Sequence, residues 1–177
     1  MEHVKNLHRF LSLLLMDNFA SQTLEQNKQS VENFLLFRDA LNGKNEYGFS
    51  LQSDLYIVRL NLNKAIYDQL QKIDFKSLSS DALIEHYNDY RSCMYFNYER
   101  PGDSIEGIEP AQLAIVQYAL ATARTLQNKE EKIKLLNFVI SKASSSTKEY
   151  SEADRLLEEF GLSEEQVHDQ VFGGKAT

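Results

Sequence analysis

Cysteine, proline, tryptophan and glycine are all scarce in this 177-residue chain, which holds one Cys, two Pro, no Trp and seven Gly. A single cysteine excludes a disulfide framework and any zinc site built on thiolates. Sparse glycine and proline leave too few turn residues for a β-sandwich or β-barrel. No apolar stretch approaches the roughly 18 residues that a membrane-spanning helix needs. Positive charge is short as well. Nineteen Lys and Arg stand against 26 Asp and Glu, for a net charge of −7, which argues against a general nucleic-acid binder. The chain also lacks a glycine-rich phosphate loop, a nucleophile elbow and a zinc motif, so nothing in it calls for a cofactor, a metal or a catalytic residue.

What remains is enough for one domain. Apolar residues make up 42% of the chain and charged residues 25%, a balance that supports a buried core. Near the start, Lys5 and Arg9 precede an apolar run from Phe10 to Met16, the outline of a signal peptide. That run is short, contains Ser12 and meets Asp17 at once, whereas Val4, Leu7, Leu11 and Leu14 have helical spacing. A structural helix over 3–20 is the expectation. With the unpaired Cys93, it places the protein in the cytoplasm.

Helical signals then follow one another. Thr23 and Gln26 form a capping box ahead of a helix whose inward face holds Leu24, Val31, Phe34, Leu35 and Leu41, and Asn42-Gly43 ends it. Residues 43–50 read as a loop. Leu51, Leu55, Val58, Leu62, Ile66, Leu70 and Ile73 make the longest apolar stripe. Alternation at 56–62 also fits a strand, but the helical period runs on past Ala65. Ser79 or Ser80 caps a helix over 81–99. The segment 100–109, with Pro101, Gly102 and Gly107, is the clearest break, and Pro110 suits a first helical turn. An Ala-rich helix over 110–127 is expected to be central, because small side chains allow close approach. Asn128-Lys129 turns into a helix marked by Ile133, Leu136, Ile140 and Ala143. Ser146 and Glu149 form a capping box for the next helix, ended by Gly161, and Ser163 and Gln166 begin a last short one. The expectation is an all-α fold of seven to eight helices, a helical bundle or helical-hairpin array. It forms a single compact domain over 1–172, with a subdomain break at 100–109 and a frayed tail at 173–177.

Residues 110–160 resemble a tetratricopeptide-type array: a helix with small residues, a tight turn, a second helix to Lys142-Ala143, then a third. An internal echo pairs Gln26-Asn27-Lys28 and Phe34-Leu35-Leu36-Phe37 with Gln127-Asn128-Lys129 and Leu135-Leu136-Asn137-Phe138. The fixed period of about 34 residues is missing, and Leu136 stands where that family has a small residue. Val31-Glu32-Asn33-Phe34-Leu35-Leu36-Phe37 is similar to the opening of the central bundle of regulators of G-protein signalling, as are Ile66-Tyr67 and Ala111-Gln112 to later landmarks. Neither resemblance carries functional residues onto this chain.

Chemistry-bearing residues are few. Glu85, His86 and Asp89 lie close enough for a carboxylate/His site between helices, and Glu165-x-x-His168 matches half of a di-iron motif. The di-iron motif is needed twice with two further Glu and occurs once, so a solvated polar face is the favoured reading. Cys93, flanked by Met94, Tyr95 and Phe96, reads as a buried thiol. Residues 148–170 carry eight acidic side chains, and Lys129, Lys132 and Lys134 form a small basic cluster. The aromatic helix is the most informative segment. Tyr87, Tyr90, Tyr95, Phe96 and Tyr98 cannot all face one core, so one aromatic face is left for a partner groove unless two helices flank this one. The resulting expectation is a non-catalytic protein–protein interaction module (an adaptor, regulator or inhibitor) that binds a protein partner through this surface, and neither nucleic acid nor membrane. The alternatives are a helix-bundle enzyme built on Glu85, His86 and Asp89, or a helical subunit of a larger assembly. The sequence leaves the oligomeric state open.

Overall fold

A computed structural model describes residues 18–42, 49–94 and 105–160. Six α-helices lie among them: α1 (Leu24–Asn42), α2 (Phe49–Leu70), α3 (Ser80–Met94), α4 (Ile108–Thr125), α5 (Lys129–Lys142) and α6 (Lys148–Glu158). Single 3-10 turns occur at Asn18–Ser21 and Phe75–Ser77, and no strand is present among the described residues. The helical class is as expected; six of the expected seven to eight helices lie among the described residues. Of the helix expected over 3–20 only the end is described, as the first 3-10 turn, and the helix expected after Gly161 lies outside the described residues. The segment 56–62 is helical, because the apolar period of four along α2 outlasts the local alternation. No described helix is long and apolar enough to cross a membrane.

The chain divides into two compact units, with boundaries at 73/74, 91/92 and 105/106. In the first, α1 and α2 run antiparallel: Asn27 bonds to Gln69 at one end, and Arg59 sits over the Phe34 ring further along. Val58, Leu62, Ile66 and Leu70 are buried at every fourth position of α2, with Phe19 and Phe34. The capping box forms as expected, Gln26 N–H donating to Thr23 Oγ1 (3.2 Å) and Thr23 N–H to Gln26 Oε1 (2.9 Å). Asn27 is fully buried within the apolar face of α1. Its amide donates to the Phe19 carbonyl (3.0 Å) and to Gln69 Oε1 (3.1 Å), which offsets its loss of water. Arg59 and Asn63, one turn apart on α2, donate to the carbonyls of Ser92 (3.4 Å) and Cys93 (3.1 Å). Both carbonyls belong to α3.

In the second unit, Gln117 of α4 meets Glu149 and Arg124 meets Glu152, so α4 and α6 are parallel. Asp81 pairs with Lys134 and Tyr87 packs on Phe138, so α3 and α5 are parallel. The Asn128 side chain accepts from the Glu130 and Glu131 N–H groups and turns α4 back into α5. Gly107, at φ 97°, precedes α4 and lets it begin at Ile108, two residues earlier than expected. Pro110 still lies in the first turn, where its missing N–H costs little. The cap of α6 is Thr147, whose hydroxyl accepts from Tyr150 N–H (3.4 Å). The expected Ser146 cap is displaced by one residue because Glu149 turns to Gln117 instead of back to a capping residue.

Candidate functional site

Ile108, Gln112, Ile115, Val116, Ala119, Leu120 and Ala123 are buried along α4. Leu113 falls beside this stripe and is half exposed (51%), one of two large apolar side chains in that state among the described residues, the other being Ile57. Leu113 borders a cleft of about 210 Å³ at the end of the second unit where α4 begins, α5 ends and α6 begins. Its apolar lining comes from Leu113 at the exposed edge and from Val116, Ala143 and Tyr87. Polar groups surround it: Glu109 and Gln112 from α4, Lys142 from α5, Ser144 and Thr147 from the connection, and Glu149 from α6. Glu109, Gln112, Leu113 and Val116 share one face of α4 by their three- and four-residue spacing.

The charges here are unequally matched. Glu149 accepts from the Gln117 amide (2.9 Å). That bond, followed by one from its own backbone N–H, holds its carboxyl below the usual carboxylate range. Glu109 and Glu149 both stand in the first turn of a helix, where the exposed N–H groups favour negative charge. Lys142 lacks such a partner. It lies 5.8 Å from the centre of the Tyr87 ring, a cation–π contact. Burial first, and then the nearby Arg91 guanidinium, push its ammonium below the usual lysine range. No carboxylate pairs with Lys142 among the described residues.

Of the residues expected to meet a partner, Tyr87 and Tyr90 are buried (8% and 3% exposed). Tyr87 packs edge-on against Phe138 at 5.2 Å, and its burial raises the phenol above its ordinary range. Its ring nonetheless reaches the cleft wall. Tyr90 packs against His86, ring centres 5.1 Å apart. Tyr95, Phe96 and Tyr98 lie outside the described residues. Of the carboxylate/His group, His86 is buried between Phe75 and Tyr90, while Glu85 is exposed. No three His, Cys, Asp or Glu side chains converge as a metal site among the described residues; Glu165 and His168 lie outside them. Cys93 is a buried thiol. The basic cluster does not act together: Lys129 and Lys132 sit over Phe160 while Lys134 pairs with Asp81. Leu113 and Lys142 were not singled out by the sequence. The one available signal was that Leu113 is a large apolar residue flanking the α4 stripe.

With this geometry in hand, the chain was compared with known proteins, and no family model, no curated protein and no solved structure matches it.

Proposed function

We propose that this protein is a non-catalytic interaction module, an adaptor, regulator or inhibitor that holds a protein partner at the α4–α5–α6 end of its second unit. The carrying observation is Leu113, half exposed on the rim of a cleft with an apolar lining. A cleft of about 210 Å³ is smaller than the roughly 300–1,000 Å³ of small-molecule and cofactor sites. It matches one or two inserted side chains, the usual anchor of a protein interface. Tyr87, from the aromatic helix, supports the same reading as a rigid wall with little side-chain entropy to lose.

The test is capture of binding proteins from the native host by the full chain and by Leu113→Glu, compared quantitatively. At least one protein is expected to be depleted about tenfold or more with the variant, as for an anchor residue, while thermal unfolding stays within a few degrees of the parent. Identical captured sets would overturn the reading.

A further inference from the structure

The cleft carries one more feature, its isolated cation. Lys142 is the lone basic side chain lining it, and Arg91 is the charged neighbour acting on it. Both face the same way electrostatically, and neither has an ion pair among the described residues. The other lysines and arginines of this unit that meet carboxylates do so on its surface: Arg124 with Glu152, Lys134 with Asp81 and Arg155 with Glu159. Of the two acids of the cleft, Glu149 accepts from Gln117, and Glu109 is exposed to solvent in the first turn of α4, where the N–H groups favour negative charge. A partly desolvated ammonium beside apolar side chains, with a second positive charge nearby, is an arrangement that an incoming anion relieves.

Resting on the interaction-module reading above, we infer that the cleft takes a partner peptide segment bearing an aliphatic side chain next to an Asp or Glu. The aliphatic group sits on Leu113, Val116 and the Tyr87 ring, and the carboxylate on Lys142. The net charge of −7 does not oppose this at physiological salt, where charges more than about 8 Å away are largely screened. A carboxylate in contact with Lys142 is inside that distance. Arg91 supplies long-range attraction, and Lys142 supplies the desolvated, geometrically defined contact.

The experiment is selection of a phage-displayed random peptide library against the full chain, followed by titration of the selected peptides. The expected consensus places Asp or Glu beside Leu, Ile, Val or Met. Affinity falls about tenfold or more with Lys142→Gln and with Leu113→Glu, and is largely kept with Lys142→Arg. It also weakens severalfold between about 50 and 300 mM salt. In the complex, the Lys142 ammonium titrates higher by NMR than in the free protein, a change that mere loss of packing would not produce. Peptides that need Leu113 but ignore Lys142→Gln and Arg91→Gln would overturn the acidic partner and leave the interaction module standing. Failure to select any peptide that depends on Leu113 would overturn both.

Discussion

Lys142, half-buried, and Arg59, buried, show how differently two cations are treated by one chain. Arg59 is buried (4% exposed) but donates to the Ser92 carbonyl at the end of α3 and stacks over Phe34. Asn63 does the same for Cys93. Together they tie α2 to the backbone of α3. Asn63→Ala breaks the buried hydrogen bond to the Cys93 carbonyl, and the expected loss is about 1 kcal/mol by denaturant titration. Unchanged stability would show that water replaces the amide. Lys142 has the opposite balance. Its folded pKa is lowered by burial and by Arg91, so its protonated form is less favourable in the folded state than in the unfolded one. This penalty is present at neutral pH and disappears as pH rises through the folded pKa towards the free lysine value of about 10.4. Lys142→Gln is therefore expected to keep or raise the Tm at neutral pH. A lower Tm would mean that the contact with Tyr87 outweighs the desolvation.

At the scale of the element, capping decides where helices begin and the apolar stripe decides which face turns inward. Thr147 caps α6 through Tyr150 N–H, so Thr147→Ala is expected to cost about 1 kcal/mol. Ser146→Ala, the residue the sequence pattern pointed to, should change little. Scanning calorimetry of the two variants discriminates between these positions. The Thr23–Gln26 box was readable from sequence because both partners are local and the chemistry is reciprocal. The Ser146–Glu149 box was misread because Glu149 has a better partner on a neighbouring helix, Gln117, which local spacing does not reveal. In α3, the spacing of Leu83, His86, Tyr87 and Tyr90 reads as a stripe. Whether that stripe is a core or a docking face depends on what packs against it: Phe75 from the turn ahead of the helix covers His86, and Phe138 from α5, some fifty residues on, covers Tyr87. Leu62, at the centre of the α2 stripe and fully buried, is expected to lose about 2–5 kcal/mol as Leu62→Ala.

For the whole molecule, acidity sets the response to pH. Glu149 is held below the usual carboxylate range by Gln117, and Glu152 by Arg124. Depressed folded values mean that both contribute stability that is complete above the unfolded glutamate pKa of about 4.3 and is lost as pH falls through the folded values. The double variant Glu149→Gln, Glu152→Gln is expected to show a flatter loss of stability on acidification, followed by denaturant titration at a series of pH values. Equal acid limbs would place the sensitive groups elsewhere. The sequence by itself determined the all-α class, the inward stripe of α2 from Val58 to Leu70 and the capping box that opens α1, because these follow from local periodicity, caps and the scarcity of turn residues. Only the tertiary structure decided that Tyr87 and Tyr90 are interior, that Asn27, Arg59 and Asn63 are buried with partners, and that Leu113 meets Lys142 across a cleft. Each of those depends on distant segments brought together, and a pattern of spacing along one helix holds no information about its neighbours.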